Sequence, residues 1–338
     1  MFTPDFAALA GNNNMLTDTM IAEPIVDFAS DVRVGLTRSG QKELPSKYLY
    51  DAMGSRLFDV IVELPEYGVT RADERLLRRN ANEIVRQLPG DVILCELGSG
   101  SGRKTRWVLE ALARRGRMSY YPIEISRTAL DVCQRELADM ESVGIVGLES
   151  EYLDGLIEVA ARRKAGQRIL VLFLGSTIGN FTSPADGEFL LAIRSMLQPG
   201  DALLLGTDLE KSLSQLLVAY DDPLGVTAAF NLNLLARINR ELDGCFDLDQ
   251  FEHVALFNRE TGSVEMHLRS KCRQTVLIRK ANLLVRFEEG ESIWTENCHK
   301  YSLYEVAALA AAAGFECAGQ WIDPEWAFAE TLMTVMNR

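Results

Sequence analysis

Clustered metal ligands are missing from this chain. It has 338 residues but only three histidines, His253, His267 and His299, and they form no H-x-x-x-H pair. Its six cysteines form no C-x-x-C pair. Metal sites in proteins draw on histidine and cysteine ligands at such close spacings, so we predict that the chain binds no metal. Cysteines without a pairing pattern are typical of reduced thiols, and we therefore predict a cytoplasmic protein.

Long apolar runs and an excess of positive charge are also lacking. No run approaches the ~20 apolar residues that cross a membrane, and the segment 1–5 has no basic stretch typical of a secretory signal. The net charge is -13, which disfavours nucleic acid, because binding phosphates depends on clustered lysine and arginine. We predict a small-molecule substrate, no membrane or nucleic-acid partner, and a monomer.

A glycine-rich turn is the most informative motif present. An apolar run, 92–95, leads through an acidic residue into Gly98, Gly100 and Gly102, and a helical pattern follows from Thr105. This order predicts a strand, a tight loop and a helix start, the opening unit of a nucleotide-binding α/β sheet. The spacing fits neither a P-loop nor the dinucleotide pattern G-x-G-x-x-G, since no glycine stands at the third place. Nucleotide hydrolysis and hydride transfer are therefore disfavoured.

Two acidic residues favour S-adenosylmethionine as the ligand of this loop. Glu96 lies two residues before the first glycine, where a carboxylate can face the ammonium and sulfonium of that cofactor. Glu124 ends the next apolar run and can accept the two ribose hydroxyls. A structural turn between a strand and a helix is the alternative for the glycines alone, and the two acids together make it less favoured.

From residue 91 the pattern alternates between strand and helix, which predicts a parallel, doubly wound α/β sheet. Strands are predicted at 91–96, 119–124, 145–149, 169–174 and 201–207. Helices are predicted at 104–115, 126–140, 153–163 and 185–197. Ligands of such sheets bind at the carboxyl ends of the strands, and Glu96, Glu124, Glu151 and Asn180 all follow such ends.

The flanking segments predict additional structure. Residues 1–30 suggest a loose tail with a loop at 11–14, and a helical pattern from 45 is broken at 65–68, with Thr70 as the N-cap of the next helix. The segment 213–300 interrupts the alternation with a helix at 226–241 and strands at 252–258, 263–270 and 274–285. A helix at 302–313 and strands at 315–322 and 328–336 complete the chain.

Several runs, in this order, resemble the histidine Nα-methyltransferases of ergothioneine biosynthesis, within the S-adenosylmethionine-dependent amino-acid N-methyltransferases. The resemblance covers the chain from about residue 31. The matching runs are Tyr48-Leu49-Tyr50-Asp51 with Gly54-Ser55, Leu64-Pro65-Glu66-Tyr67 with Thr70-Arg71, Glu96-Leu97-Gly98-Ser99-Gly100, Leu174-Gly175-Ser176-Thr177-Ile178-Gly179-Asn180, Ala219-Tyr220-Asp221-Asp222, Thr295-Glu296-Asn297 and Phe328-Ala329-Glu330-Thr331.

The resemblance implies a Rossmann-like class I methyltransferase sheet with a second, α+β substrate-binding domain. We expect the substrate-binding domain at 1–72 and 213–300, and the cofactor-binding core at 73–212 and 301–338. Besides Glu96 and Gly100, the cofactor residues implied are Gly98, Lys104 for the cofactor carboxylate, Glu124 for the ribose, and Glu151 and Tyr152 for the adenine.

The resemblance also implies an amino-acid site. Asn180 and Tyr220 would bind the α-carboxylate of the substrate. Tyr67 and Tyr50, as the catalytic pair, would lie beside the α-amine. At the other end of the substrate, Glu296 would accept a hydrogen bond from the imidazole N–H, and Met266 and Cys298 would lie nearby.

Position 298 departs from the pattern of the family, which commonly has serine there. The thiol of Cys298 is a weaker hydrogen-bond donor than a hydroxyl, so the substrate can differ from histidine. Two alternatives stay open: the same chemistry on tryptophan or another aromatic amino acid, and a non-catalytic sensor that binds cofactor and amino acid. The expected reaction is direct transfer of methyl groups to the α-nitrogen of L-histidine, successively to the trimethyl betaine, and the general base is left open.

Overall fold

The computed structural model describes the backbone of residues 24–335. Within that range the helices are α1 (Pro24–Leu36), α2 (Ala52–Ile61), α3 (Val69–Arg86), α4 (Arg106–Ala113), α5 (Arg127–Glu136), α6 (Tyr152–Ala161), α7 (Ala185–Met196), α8 (Leu213–Tyr220), α9 (Val226–Leu242) and α10 (Leu303–Ala312). The strands are β1 (Lys42–Glu43), β2 (Val92–Leu97), β3 (Met118–Glu124), β4 (Val143–Ile145), β5 (Leu148–Glu149), β6 (Arg168–Phe173), β7 (Ala202–Asp208), β8 (Phe251–Asn258), β9 (Ser263–Ser270), β10 (Gln274–Ile278), β11 (Leu283–Phe287), β12 (Ser292–His299), β13 (Phe315–Asp323) and β14 (Phe328–Val335).

The larger sheet has the order β13-β14-β7-β6-β2-β3-β4, with β5 also paired to β3. Strands β7, β6, β2, β3 and β4 run parallel, whereas β13 and β14 are antiparallel additions at one edge. Side chains of the parallel strands alternate between two hydrophobic clusters, one on each face, which matches a sheet covered by helices on both sides. The predicted doubly wound sheet is confirmed, and its carboxyl edge carries Glu96 and Glu124.

The smaller sheet has the order β1-β12-β9-β8 and packs against α9. Its apolar side chains share one core cluster with α1, α2 and the start of α3. That cluster joins the segments 28–76 and 216–298, and it also takes in Trp326 and Phe328 from the end of the chain. The division into two domains and the monomeric state stay predictions. No helix in the described part of the chain is long and apolar enough to cross a membrane.

Four predictions about local structure are wrong. The tail prediction fails over residues 24–30, which begin α1, because Phe28, Val32 and Leu36 recur every four residues and are buried together. The loop predicted at 11–14 lies outside the described residues. Helix α3 begins at Val69 rather than after an N-cap at Thr70, and Gly68 precedes it because a Cβ there would lie 2.1 Å from the ring of Trp326.

The other two errors concern strands. The strand predicted at 145–149 is the pair β4 and β5, which both lie beside β3. The strand predicted at 274–285 is the hairpin of β10 and β11. Asn282 in its turn has a φ of 47°, a left-handed conformation that asparagine tolerates and that ends a strand.

Candidate functional site

The loop after β2 forms a cradle at the carboxyl edge of the larger sheet. Gly98 and Gly100 have φ values of 76° and 51°, which favour glycine. The amide of Gly98 donates to the carbonyl of Ile123 at 2.9 Å, which ties the loop to β3. A Cβ at Gly98 would lie 3.2 Å from the hydroxyl of Tyr152. Glycine therefore keeps open the space between the loop and the Tyr152 ring.

Glu124, Glu151 and Tyr152 lie around this cradle, as predicted for cofactor residues. Oε2 of Glu124 accepts from the amide of Gly100 at 3.4 Å, and Oε1 accepts from the amide of Ile125 at 3.0 Å. Burial raises the pKa of the Glu124 carboxyl, and these backbone donors oppose the rise. Tyr152 begins α6 directly after the exposed Glu151. The donor set fits a ligand with vicinal hydroxyls and a flat ring, and so fits S-adenosylmethionine.

Glu96 is buried beneath the glycine loop. The hydroxyl of Thr105 donates to both of its carboxyl oxygens, at 2.8 and 2.7 Å, and the phenol of Tyr120 donates to Oε2. Burial raises the pKa of Glu96 to about 7, and these two donors and Lys104 oppose the rise. These contacts hold the carboxyl group of Glu96 against the start of α4 and against β3, and its contact with the cofactor stays a prediction.

Lys104 projects into a buried cluster of carboxyl groups that sequence reasoning missed. Its Nζ lies 2.6 Å from Oδ2 of Asp73, which also accepts from the amide of Gly175 at 2.9 Å. Nothing in the sequence points to Asp73 in this cluster, and Glu330 stands out only as part of the run 328–331. Within the described residues, neither oxygen of Glu330 nor Oδ1 of Asp73 has a hydrogen-bond donor.

A proton on Glu330 explains how the carboxyl groups of Glu330 and Asp73 can be buried together. Burial, and next the neighbouring Asp73, raise the pKa of Glu330 well above its usual range. A neutral Glu330 can donate its own proton to Asp73, whereas two adjacent buried charges would repel each other. Asp73 forms the ion pair with Lys104 at 2.6 Å. One ammonium has three donors, so Lys104 retains hydrogen bonds for a cofactor carboxylate.

Tyr50, Tyr67 and Tyr220 meet in an aromatic group on the side of the smaller sheet. The rings of Tyr67 and Tyr220 lie edge to face with centroids 6.3 Å apart. Tyr50 makes edge contacts with Phe58 and Phe230, each at 5.4 Å, and Phe58 lies 6.1 Å from Tyr67. Burial raises the pKa of all three tyrosines well above the usual value, so they are neutral phenols near pH 7.

Strand β12 brings Glu296 and Cys298 to the same group. Residues two apart on a strand share a face, and Glu296 pairs across the sheet with the buried Met266. The thiol of Cys298 lies 3.6 Å from Oδ1 of Asn180. Glu296 and Cys298 both interact electrostatically with Tyr50 and Tyr67, which places these four side chains in one region. The structure thus brings together every substrate residue expected from the sequence.

Glu296 brings a buried carboxyl group into the region of these tyrosines. Its side chain is 7% exposed, and burial raises its pKa to about 7, with the thiol of Cys298 and the cation of Lys300 opposing the rise. A carboxyl group lined by phenols and by Met266 is costly unless something donates to it. The site therefore offers a strong acceptor to a ligand that carries an N–H.

Polar contacts behind the site fix Asn180 and Tyr220. The side-chain amide of Asn297 donates to the carbonyl of Gly179 at 2.9 Å, which joins β12 to the turn that carries Asn180. The backbone carbonyl of Tyr220 accepts from Nε2 of His253 at 2.8 Å. Nδ1 of His253 accepts from the amide of Asn231 at 2.9 Å, and burial lowers the pKa of this histidine. His253 is thus a neutral support of the site, a role its sequence context did not indicate.

A surface cavity of about 460 Å³ lies away from these residues. Its lining includes Glu43, Glu265, His267 and Trp294. Glu265 and His267 alternate along β9 with Met266, so the cavity opens on the other face of the smaller sheet. Hydrogen bonds between Glu265 and His267, and from Asn258 to Glu265, already satisfy its polar groups. We assign no ligand to this cavity.

Comparison with known proteins decides the family. Residues 28–335 match the family described as "Histidine-specific methyltransferase, SAM-dependent". The chain belongs to this family. The resemblance in the sequence is thereby confirmed, and with it the Rossmann-like class I methyltransferase sheet and S-adenosylmethionine as the cofactor.

Relatives of this methyltransferase carry related names. The histidine N-alpha-methyltransferase of Mycobacterium tuberculosis is 42% identical over 307 residues, which span 89% of this chain and 93% of that protein. The protein of the same name from Mycolicibacterium smegmatis is 43% identical over 311 residues, again 89% and 93% of the two chains. The L-tryptophan methyltransferase trpM of Psilocybe serbica is 27% identical over 309 residues, spanning 84% of this chain and 86% of that one.

Proposed function

We propose that this methyltransferase transfers methyl groups from S-adenosylmethionine to the α-amino nitrogen of free L-histidine, successively to the trimethyl betaine. The observation that carries the proposal is the buried carboxyl group of Glu296 among the phenols of the aromatic group. An imidazole N–H satisfies that carboxylate, whereas an aliphatic or phenyl side chain leaves it without a donor. Two relatives named as histidine N-alpha-methyltransferases support this choice.

The cofactor half of the site lies along the carboxyl edge of the larger sheet. S-adenosylmethionine supplies an electrophilic methyl group on its sulfonium when bound. The loop at Gly98 and Gly100 would lie against the cofactor, with Glu124 at its ribose and Lys104 at its carboxylate. Glu151 and Tyr152 would hold the adenine by a hydrogen bond and by ring contact.

The substrate half of the site lies opposite the cofactor half. Its residues come from the smaller sheet and from the turn after β6. Asn180 and Tyr220 would donate to the α-carboxylate. Tyr67 and Tyr50 would lie beside the α-amine, and Glu296 would accept from the imidazole. Such fixed contacts at both ends of the amino acid direct its nitrogen toward the methyl group, and positioning of this kind is a large part of enzymatic rate enhancement.

The amine must lose its proton before its lone pair can attack. Because burial keeps Tyr67 neutral, we propose that its phenol positions the nitrogen and that the proton leaves to solvent. Phenol rings tolerate the ammonium that forms through cation–π attraction. No carboxylate is needed at the nitrogen itself, so mono-, di- and trimethylated forms can occupy the same place.

The assay is turnover with S-adenosylmethionine of natural isotope composition and each of the twenty amino acids, read by mass spectrometry. We expect histidine to gain about 42 Da, three replacements of hydrogen by methyl at about 14 Da each. Methylated tryptophan with inert histidine would instead support an indole substrate, for which the thiol of Cys298 is the favouring observation. Cofactor binding without any product would support a sensor.

A further inference from the structure

A buried lysine lies directly behind the proposed carboxylate-binding tyrosine. Lys300 follows β12 and is 2% exposed. Its Nζ donates to the phenol oxygen of Tyr220 at 2.7 Å and lies 4.7 Å from the centre of that ring. Burying an ammonium is costly unless charged and polar partners compensate it. The buried ammonium of Lys300 therefore needs a charged partner, and its place beside Tyr220 indicates a function.

The partner is Asp208, at the end of β7 in the larger sheet. Its Oδ2 lies 2.9 Å from Nζ of Lys300, as an ion pair. Its Oδ1 accepts from Lys211 and, at 3.1 Å, from the indole N–H of Trp326. Among the residues that the structure describes, Lys211 donates to Asp208 and to the carbonyl of Leu209, and not to Tyr220. One carboxylate thus holds two lysines, of which only Lys300 reaches the substrate side.

The chemistry of the ammonium fixes the direction of the hydrogen bond. An ammonium has donors and no acceptor, so the oxygen of Tyr220 accepts from Lys300. The hydroxyl proton of Tyr220 is then free to point away from Lys300. Its neighbour on that side is the thiol of Cys298, a weak acceptor that a carboxylate readily replaces. A donor that itself accepts from a cation is also a stronger donor.

We propose that Lys300 is a positioning residue for the amino-acid carboxylate: anchored by Asp208, it holds the hydroxyl of Tyr220 as a donor toward that group and adds a positive charge behind it. This inference rests on the proposed function, since it concerns the carboxylate that Tyr220 would bind. It assigns to Lys300 a function separate from that of Glu296, which faces the other end of the substrate.

The test compares Lys300→Met with Lys211→Met, which removes the other cation on the same carboxylate. Steady-state kinetics with L-histidine are measured, together with competitive inhibition by L-histidinol, which keeps the amine and imidazole but has no carboxylate. We expect Lys300→Met to raise KM for histidine about tenfold or more, with kcat and the affinity for S-adenosylmethionine within about threefold. Inhibition by histidinol should change by less than threefold. Lys211→Met should leave KM for histidine within about threefold.

A double variant tests whether Lys300 acts through Tyr220. In a Tyr220→Phe background, Lys300→Met should add at most a threefold further rise in KM, because no hydroxyl remains to be held. Equal losses for histidine and histidinol, or an unchanged KM in Lys300→Met, would overturn the proposal.

Folding of Lys300→Met is expected because Lys211 and Trp326 still pair with Asp208, and thermal melting checks it. If Lys300→Met does not melt cooperatively, Lys300→Gln replaces it, with a KM rise of at least threefold as support and an unchanged KM as refutation. Wild-type protein that binds S-adenosylmethionine but methylates no amino acid would refute the proposed function and this inference together. Wild-type turnover of histidine with an unaffected lysine variant would refute the inference alone.

Discussion

The buried carboxyl group of Glu296 gives the most direct test of substrate choice, through the variant Glu296→Gln. The amide keeps the size of the side chain but offers no charge to an imidazole N–H. A hydrogen bond to a charged group contributes about 1.5–3 kcal/mol, and about 1.4 kcal/mol changes an equilibrium tenfold. We therefore expect kcat/KM for histidine to fall roughly 10- to 150-fold at pH 8.

The pH dependence sharpens this expectation. Burial raises the pKa of Glu296 to about 7, so the carboxyl group is ionised above that pH and protonated below it. Its ionised fraction falls from about nine-tenths at pH 8 to about one-tenth at pH 6. Only the ionised form accepts from the imidazole with full strength. Wild-type kcat/KM should therefore fall as the pH is lowered, and Glu296→Gln should lack this part of the fall.

The measured quantity is the ratio of kcat/KM between wild type and Glu296→Gln from pH 6 to pH 8. Titration of histidine itself affects both proteins and cancels in the ratio. We expect the ratio to rise about ninefold over this range, with its midpoint near the pKa of Glu296 in the free enzyme. Glu265→Gln, on the other face of the smaller sheet, is the matched control and should follow wild type. A ratio that is flat with pH, or close to one at pH 8, would refute the assignment of Glu296.

Three further predictions concern residues around the two halves of the site. Cys298→Ser replaces the thiol with a better donor and should lower KM for histidine about fivefold, which corresponds to about 1 kcal/mol of binding free energy. Cys298→Ala should not lower KM, and steady-state kinetics on both variants test this. Asp73→Asn removes the charge that holds Lys104 and should lower the affinity for S-adenosylmethionine about tenfold, as measured by calorimetry. Equal affinities of wild type and variant would contradict this prediction. Glu330→Gln mimics a carboxyl group whose pKa is raised in the folded state. Wild type loses stability as the pH rises above the unfolded pKa of about 4.3, so the gain in melting temperature of Glu330→Gln should be larger at pH 8 than at pH 5, and an equal gain at both would contradict a protonated Glu330.

The cofactor side was predictable because its signals are local. A strand, a glycine turn and a helix start are adjacent in the chain, and parallel strands place their carboxyl ends at one edge of the sheet. Glu124 and Glu151 therefore come to the cradle as their positions after predicted strands indicate, and Tyr152, which only the resemblance implies, follows Glu151 at the start of α6. Glu96 differs, because its position before the glycines does not reveal that Thr105 and Tyr120 take up its carboxyl group.

The supporting residues were not predictable from one sequence. Asp73 reaches Lys104 across 31 residues, and Lys300 reaches Tyr220 across 80. Neither pair has a spacing that a helix or strand imposes, since the contacts arise only when α3 packs on the larger sheet and β12 returns to β7. His253 likewise gives no sign in the sequence that its ring holds the backbone of Tyr220.

Each half of the proposed site has a buried acid behind the residue that would bind the ligand. Asp73 holds Lys104 for the cofactor, and Asp208 holds Lys300 behind Tyr220 for the amino acid. Both acids are buried: Asp73 lies in α3, which packs on the larger sheet, and Asp208 ends β7 within that sheet, whereas Tyr220 and Glu296 come from the segment 213–300. A buried charge that loses its partner is strongly destabilising, so Lys300 is stable in this place only when the segment 213–300 packs on the end of β7 and brings it to Asp208. The same packing places Lys300 at the hydroxyl of Tyr220, which links the ordering of this phenol to the contact between the two sheets.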